Sequence, residues 1–281
     1  MRNMTFTALS RTMIVALCFA VTAGCANTIK PFPVPDRLPG YLTADTAPNS
    51  EILLPPPPAA DTTALALDQD ISRNSLALRN SPRWALAAED ANLNFPAAAG
   101  VFACALDAPI SEQETPHLYL LLRRVLTDTS LATSSAKNKY KRTRPFVVNK
   151  EPTCSPNDEP FLKKNGSYPS GHSTVGWAWA LILSEISPER VNEILARGGA
   201  FGQNRVICNV HWQSDVIEGR IMGAATVARL HADPVFRDDL EHAKAEIVAV
   251  RTRGLKPARD CKAEAAALAE YAPNAPWPAN K

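Results

Sequence analysis

Apolar residues recur at helical spacing along most of the chain beyond residue 60. The clearest segment carries five of them three or four positions apart, as one face of an α-helix requires: Leu118, Leu121, Leu122, Val125 and Leu126. Similar segments cover 61–78, 82–93, 95–106 and 217–230. The almost wholly apolar run 175–186 predicts a buried central helix. No segment alternates convincingly as a half-buried strand does, so the pattern predicts an all-α fold, a single-domain helical bundle.

Helix-start signals separate these segments. Ser111 and Glu114 have the spacing of a capping box, so we expect the leucine-rich helix to follow directly after them. Ser187-Pro188 and Asp233-Pro234 each pair an N-cap residue with a first-turn proline. These two pairs predict the starts of two further helices.

The first 26 residues have the composition of a secretory signal. Arg2 and Arg11 precede a charge-free apolar run from Met13 to Ala23, which is shorter than the ~20 apolar residues that span a bilayer. Ala23-Gly24-Cys25 resembles a bacterial lipobox, with Cys25 as the lipidated residue. Ordinary cleavage near Ala23 or Ala26 is the alternative, and both stay open. Either route predicts export, with the periplasm as the destination.

Residues 27–60 are rich in proline, including the run Pro55–Pro58. This composition predicts an extended spacer, or a strap over the domain surface, that builds no core of its own. No internal repeat and no second change of composition follows. We therefore expect one helical domain over residues 61–272 and a short tail over 273–281.

Composition limits the function classes. The 281 residues are 46% hydrophobic, enough for a buried core, and the formal net charge is only +2. This charge gives no reason to expect a nucleic-acid partner, so any basic site must be local. Four cysteines lie beyond the signal, an even number that predicts one or two disulfides in an oxidising compartment. They are Cys104, Cys154, Cys208 and Cys261, and three pairings are open.

The stretch Pro169-Ser170-Gly171-His172 reads as the entry to the central helix. Ser170 is a favourable N-cap, and Gly171 lets a ligand approach the backbone. The N–H groups and the dipole at a helix start form an anion site, with His172 at its mouth as a proton donor. Taken alone, the stretch also fits a capped helix with a surface histidine.

Two flanking clusters change that interpretation. Upstream, Lys137 and Arg144 belong to a basic run that could equally be a solvated helix face. Downstream, Arg205 is followed by His211 and Asp215, which are four residues apart and can share a helix face. The carboxylate would hold one ring nitrogen and leave the other nucleophilic, although a surface His–Asp pair has the same spacing. No third ligand has a suitable spacing for a metal.

In order, the three pieces spell K-x(6)-R-P, P-S-G-H and R-x(5)-H-x(3)-D. This resembles the type 2 phosphatidic acid phosphatase (PAP2) superfamily, and within it the class A bacterial non-specific acid phosphatases. The stretches 115–119, 166–168 and 211–215 are similar to that class, and the resemblance runs from about Tyr41 to about Leu240. One departure is Asn204, where the family pattern usually has serine, and we expect a modest effect on local support.

The resemblance implies a mostly helical fold and cofactor-free, metal-independent hydrolysis of small phosphomonoesters through a phosphohistidine. The phosphoryl oxygens would be bound by five residues: Lys137, Arg144, Ser170, Gly171 and Arg205.

Catalysis would use the remaining three motif residues. The resemblance implies that His211 attacks phosphorus, Asp215 orients it and His172 protonates the leaving group. An alcohol in place of water would make the same site a phosphotransferase. Outside the motif, we expect His117 to be structural and His231 and His242 to be solvated.

Other functions stay open at this point. Vanadium haloperoxidases hold vanadate in the same kind of cage, and membrane lipid phosphatases share the motif but have spanning helices that this chain lacks. A phosphate-binding envelope lipoprotein without activity is a third alternative, which the complete set of His172, His211 and Asp215 disfavours. A lipid anchor at Cys25 and a homo-oligomer are left open.

Overall fold

A computed structural model describes residues 38–270 of the chain. The described residues form α-helices and short 3-10 turns with no β-strand, which confirms the all-α fold. The predicted signal, with Cys25, and all of the predicted tail over 273–281 lie outside the described residues. No helix in the described range is both long and apolar enough to cross a membrane.

The helices follow one another with short connections. In chain order they are α1 (Ser50–Leu53), α2 (Thr63–Ser75), α3 (Pro82–Glu89), α4 (Ala103–Leu106), α5 (Pro116–Tyr140), α6 (Pro145–Asn149), α7 (Glu159–Leu162), α8 (Gly171–Ile186), α9 (Val191–Ile207), α10 (Gln213–Leu230), α11 (Pro234–Thr252) and α12 (Cys261–Leu268). The 3-10 turns are Leu76–Leu78, Ala97–Phe102, Pro156–Asp158 and Pro188–Arg190.

Helix α8 is the central element, as its apolar sequence predicts. It packs against α5, α9 and α10. Trp179, Ile182 and Leu183 on this helix are fully buried. The indole N–H of Trp179 donates to the Leu122 carbonyl oxygen over 3.1 Å, so even the polar atom of this large side chain is satisfied.

Two glycines bring α10 against the first turns of α8. A Cβ at Gly219 would lie 2.6 Å from the Ser170 carbonyl oxygen, and one at Gly223 would lie 2.7 Å from that of Thr174. Only glycine permits this backbone approach. The start of α8 is therefore held beside the start of α10, and these two helix starts carry two parts of the motif.

The start of α5 differs from the expected capping box. Ser111 accepts the Glu114 N–H over 3.1 Å inside a turn, and the helix begins only at Pro116. The N–H groups of His117 and Leu118 instead donate to Glu246 of α11, over 2.9 and 3.0 Å. The local box was wrong because the cap comes from a distant helix.

The other two start signals have different outcomes. Asp233 accepts the N–H groups of Val235 and Phe236 over 2.9 and 3.0 Å at the start of α11, which confirms that prediction. Pro188 opens a 3-10 turn, and the α-helix proper begins three residues later at Val191.

The proline-rich stretch contributes to the core, which its composition did not predict. Leu42 and Leu54 are buried. Asp128 of α5 accepts the N–H groups of Leu42 and Tyr41 over 2.8 and 3.2 Å. Because these bonds satisfy the backbone that lies against the bundle, residues 38–54 pack as part of the folded unit.

The cysteines form two disulfides, Cys104–Cys261 and Cys154–Cys208. The first joins α4 to the start of α12. The second joins the end of α9 to the segment that leads into the 3-10 turn 156–158 and α7. This second bridge matters for the site, because both the end of α9 and α7 contribute to the pocket described next.

Candidate active site

One pocket brings together most of the predicted site residues. Its walls come from α5, the segment 158–165, the start of α8 and the end of α9. Six of the eight predicted residues line it: Lys137, Arg144, Gly171, His172, Arg205 and His211. The other two, Ser170 and Asp215, are fully buried behind the wall.

His211 lies between α9 and α10, and its two ring nitrogens have different partners. Nδ1 is 3.2 Å from Oδ2 of Asp215, and Nε2 is 3.0 Å from Nη1 of Arg144. Because a guanidinium only donates, Nε2 accepts, and Nδ1 therefore carries the hydrogen that Asp215 accepts. This arrangement leaves an unprotonated Nε2 on the pocket side.

Protonation of His211 is strongly disfavoured in the empty pocket. Burial lowers the pKa of His211 well below its ordinary value, and the charges of Arg144 and Lys137 lower it further. The empty pocket therefore favours the neutral ring, the form that can act as a nucleophile.

Asp215 is held on both of its oxygens. Oδ2 also accepts the Trp212 N–H over 2.9 Å, and Oδ1 accepts from Nη1 of Arg142 over 2.6 Å. Arg142 in turn donates through Nη2 to Asp68 of α2 over 2.7 Å. Neither Arg142 nor Asp68 was predicted from the sequence as a site residue. One signal was present, since Asp68 falls on the buried face of α2 together with Ile71, Ser72 and Ser75.

Arg144 has a fixed orientation because backbone carbonyls surround it. Nε donates to Leu162 and Asn165 over 3.0 and 3.1 Å, and Nη1 donates to Val210 over 2.9 Å. Lys137 is anchored in the same way, with Nζ donating to the Gly166 carbonyl oxygen over 2.9 Å.

Arg205 is different from the other two cations. The residue is 1% exposed, yet its Nε and Nη1 have no hydrogen-bond partner within residues 38–270. A buried guanidinium with unused donors is unfavourable unless an anion completes it. Arg205 is therefore the clearest mark of an anion site in the pocket.

Burial weakens the hold of all three cations on their protons. It lowers the pKa of Lys137 well below its usual value and lowers the pKa of Arg144 to about 9 and that of Arg205 to about 10. The positive charge of nearby Arg144 lowers the pKa of Lys137 further, whereas the negative charge of Asp158 partly raises the pKa of Arg205. A bound anion would reverse this destabilisation.

Ser170 caps α8, as its sequence position predicts. Its Oγ accepts the Ser173 N–H over 3.3 Å and the Ser173 hydroxyl over 2.9 Å, and its own N–H donates to the Asp215 carbonyl over 2.9 Å. The structure thus places its side chain behind the pocket wall. Gly171, the first helical residue, lines the pocket.

His172 presents one fixed and one free nitrogen. Nε2 lies 3.0 Å from the Ala91 carbonyl oxygen, which can only accept, so Nε2 carries a hydrogen and Nδ1 is the nitrogen that titrates. The ring keeps some solvent contact at the pocket. Burial nevertheless lowers the pKa of His172 well below its ordinary value, and the positive charge of Arg205 lowers this pKa further. The hydrogen bond to the Ala91 carbonyl acts in the opposite direction and raises it.

Apolar side chains and one carboxylate complete the pocket. Leu93, Leu126, Phe161 and Leu162 form apolar wall, and Asp158 is the carboxylate. None of these residues was predicted from the sequence as part of the site, and Leu126 was predicted only as one of the apolar positions of the leucine-rich helix. Their contribution depends on the packing of α5 and α7 around the motif residues.

Residues outside the pocket have varied outcomes. His117 is exposed rather than packed among the core leucines, and its ring stacks on His242 of α11 with ring centroids 4.7 Å apart. His231 is partly exposed and pairs with Glu185 over 2.9 Å. Asn204 does not line the pocket, and it accepts from Arg83 and donates to Asp90, both over 2.7 Å. Within the described residues, no group of three or more His, Cys, Asp or Glu side chains could hold a metal ion.

Comparisons with known proteins assign the family. The PAP2 superfamily model matches residues 117–238. The non-specific acid phosphatase of Salmonella typhimurium is 44% identical over 223 residues, which are 79% of this chain and 86% of that protein. The non-specific acid phosphatase of Providencia stuartii is 45% identical over 212 residues, covering 75% and 86%. The chain therefore belongs to the PAP2 superfamily, which confirms the resemblance seen in its motifs.

Two further likenesses are more distant. The acid phosphatase of Zymomonas mobilis is 40% identical over 206 residues, covering 73% of this chain and 78% of that protein. The crystal structure of the first bacterial vanadium-dependent iodoperoxidase has a TM-score of 0.47 at 16% identity, over 72% of this chain and 60% of that chain. A likeness at the latter level adds nothing to the assignment.

Proposed function

We propose that the protein is an exported non-specific acid phosphatase that hydrolyses phosphomonoesters through a phosphohistidine on His211. One observation carries the proposal: the unprotonated Nε2 of His211 shares a pocket with Arg205, whose Nε and Nη1 have no hydrogen-bond partner among residues 38–270. A nucleophile beside a buried, unsatisfied cation suits an anionic electrophile. Relatives named non-specific acid phosphatase, at 44 and 45% identity, support the same reaction class.

Binding begins with the phosphate dianion. Arg205 donates to one phosphoryl oxygen through its unused N–H groups, and Lys137 and the Gly171 N–H serve the others. Arg144 transfers its Nη1 hydrogen bond from His211 to the phosphoryl group, which frees the nitrogen lone pair. The charge of the bound dianion opposes the effect of burial and favours the protonated forms of the three cations.

The first chemical step transfers the phosphoryl group to the enzyme. Nε2 of His211 attacks phosphorus in line, the P–N bond forms and the bond to the ester oxygen breaks. The departing oxygen takes the proton from Nδ1 of His172. Asp215, which keeps the Nδ1 hydrogen of His211, stabilises the positive charge that develops on the ring.

The second step returns the enzyme to its starting state. Nδ1 of His172, now neutral, removes a proton from water as the water oxygen attacks phosphorus. The P–N bond breaks, its electron pair returns to Nε2 of His211, and inorganic phosphate leaves. An alcohol at the position of the water would receive the phosphoryl group instead.

Acid solution favours this cycle. His172 must enter it protonated, and its pKa in the empty site lies below the ordinary value. The charge of the bound dianion raises that pKa, but the free enzyme carries the required proton only at acidic pH.

Export is part of the proposal. The predicted signal over residues 1–26 supports it, and two disulfides in the described part of the chain suit an oxidising compartment such as the periplasm. Identification of the mature N-terminus distinguishes the two processing routes. A lipid on an N-terminal Cys25 would indicate the lipobox route, and an N-terminus without lipid near Ala23 or Ala26 would indicate ordinary cleavage.

Trapping the phosphoenzyme tests the function. The purified protein is mixed with radiolabelled phosphomonoester and quenched in alkali, where a phosphohistidine survives and an acyl phosphate does not. We expect acid-labile label in the wild type and none in His211→Ala. His242→Ala, which removes an exposed histidine remote from the pocket, is the matched control and should label normally.

Steady-state assays with p-nitrophenyl phosphate and a sugar phosphate complete the test. The rates should be unchanged by a chelator. Label on His211→Ala, a chelator-sensitive rate that metal restores, or halide oxidation with vanadate and peroxide but no ester hydrolysis would each contradict the proposal.

A further inference from the structure

Two buried carboxylates bind the same guanidinium on the side of His211 that faces away from the pocket. Arg142 lies between Asp68 and Asp215, at 2.7 and 2.6 Å. The side chains of these three residues are only 9%, 3% and 0% exposed, respectively. Asp68 is 74 residues from Arg142 in the chain, and it has no contact with the pocket. Such an arrangement is retained only when every member is well bonded.

We propose that Asp68 is a positioning residue for the nucleophile, acting through Arg142 and Asp215 on His211. This inference rests on the proposed role of His211. Asp68, Arg142, Ser214 and Asp215 are here called the nucleophile network. Asp68 touches none of the reacting atoms and does its work by fixing the carboxylate that selects the tautomer of His211.

The hydrogen bonds show how Asp68 acts from two sides. It accepts Arg142 Nη2 on Oδ2, and Arg142 holds Oδ1 of Asp215. It also accepts the Ser214 N–H on Oδ1 over 2.8 Å and the Ser214 hydroxyl on Oδ2 over 2.5 Å. Ser214 is the chain neighbour of Asp215. Asp68 therefore fixes both the partner and the backbone of the carboxylate that orients His211.

Charge gives Asp68 a second effect. Arg142 is one of the cations that hold down the pKa of His211. The negative charge of Asp68 neutralises the positive charge of Arg142. The negative charge of Asp215 can then stabilise the His211 ring, which becomes positive as the phosphoryl group is transferred. Without Asp68 the Arg142–Asp215 pair is neutral overall, and the same positive ring is stabilised less.

A structural role alone would look different. Asp68 also joins α2 to the start of α10 through hydrogen bonds. If that were its only role, its replacement would lower the fraction of folded protein and would not lower kcat selectively while KM stays constant. Asp128 is a suitable control, because it too is fully buried and joins α5 to residues 41–42, away from the pocket.

The test compares Asp68→Asn with Asp128→Asn in the full-length protein, using p-nitrophenyl phosphate. Asp68→Asn should reduce kcat by about 10–100-fold, the range found when an outer partner of a bound ligand is lost. KM and the inhibition constant for inorganic phosphate should stay within about twofold, because the cations of the pocket are untouched. Asp128→Asn should lower thermal stability and leave kcat unchanged.

Two more variants sharpen the result. Asp68→Glu keeps the charge and should recover part of the lost kcat. Arg142→Lys keeps a positive charge but lacks the planar fork whose two nitrogens each bind one carboxylate, so it should lose about tenfold in kcat at constant KM. This variant also decides the matter if Asp68→Asn does not fold.

An unchanged kcat in Asp68→Asn or Arg142→Lys overturns the inference, and so does a loss that merely follows the folded fraction or appears in KM. Failure of the proposed function would be distinct, because then the wild type itself would form no phosphohistidine.

Discussion

Two buried polar networks flank the pocket and behave differently. The nucleophile network ends at His211. The second, here called the support network, consists of Arg83, Asp90, Arg197 and Asn204. In it Arg197 binds Asp90 at 2.9 and 2.6 Å, and Asn204 donates to Asp90 and accepts from Arg83, both at 2.7 Å. Each network ties an early helix, α2 or α3, to a helix that carries site residues.

The difference lies in the residue that each network reaches. The nucleophile network satisfies each oxygen of Asp215 and so selects a single tautomer of His211. The support network stops at Asn204, one residue before Arg205, whose Nε and Nη1 are left without partners in residues 38–270. Full satisfaction orients a nucleophile, whereas incomplete satisfaction of a buried cation prepares an anion site.

The largest expected effect comes from Asp215→Asn. The amide nitrogen would donate to Nδ1 of His211 and move the ring hydrogen to Nε2, which then cannot attack. We expect about a 10⁴-fold loss of kcat, as for other catalytic histidines that lose the orienting carboxylate. Rapid-quench measurement of phosphoenzyme formation checks this. Asp90→Asn, the equivalent change in the support network, should retain the wild-type kcat per folded molecule. A loss of kcat comparable to that of Asp215→Asn would show that the two networks do not differ in this way.

Arg205→Ala comes next. It removes the unpartnered guanidinium, so we expect kcat/KM to fall by about 10²–10³, the range for one preorganised charge-stabilising donor. Inhibition by vanadate, which mimics five-coordinate phosphorus, should weaken in parallel. Steady-state kinetics and vanadate titration measure both effects. Unchanged vanadate binding would mean that Arg205 does not face the phosphoryl group.

His172→Ala should have an effect that depends on the leaving group. A sugar phosphate should lose about 10²-fold, the lower range for a general acid, while p-nitrophenyl phosphate, whose phenolate leaves without a proton, should lose much less. Equal losses on the two substrates would identify His172 as one more phosphate ligand.

The same variant tests the pH profile. Burial and Arg205 lower the pKa of His172, and activity requires its protonated form, so activity is lost as the pH rises through that lowered pKa. The basic limb of the kcat/KM profile should therefore lie below about pH 6.5, the ordinary histidine value, and disappear in His172→Ala.

Asn204→Ser introduces the residue usual in the family and should have the smallest effect. Serine is too short to bridge Arg83 and Asp90 together, so we expect unfolding to require about 1–2 kcal/mol less free energy. The rate should change by less than about threefold, because Asn204 does not line the pocket. Urea denaturation and steady-state kinetics measure the two quantities. A large loss of rate at full folding would show that the support network also tunes Arg205.

Local signals were sufficient for much of the molecule. The spacing of apolar residues predicted α2, α3, α5, α10 and the buried α8, because helical periodicity is a property of neighbouring residues, whereas most of the predicted segment 95–106 is the 3-10 turn Ala97–Phe102. Ser170 was predicted as a cap for the same reason, since a cap and its partners lie within one turn. The fixed spacing of the three motifs identified the family and six residues that line the pocket.

Packing between distant segments decided the rest. The start of α5 depends on Glu246, 129 residues from His117, and Asp68 reaches Arg142 across 74 residues. No local pattern encodes such pairs, because they exist only once the helices have packed. The disulfide pairing and the free nitrogen of His172, which the Ala91 carbonyl selects, have the same origin. The sequence alone predicted which residues form the candidate site, and only the tertiary structure decided how their protons are held, because hydrogen-bond partners are set by spatial contact.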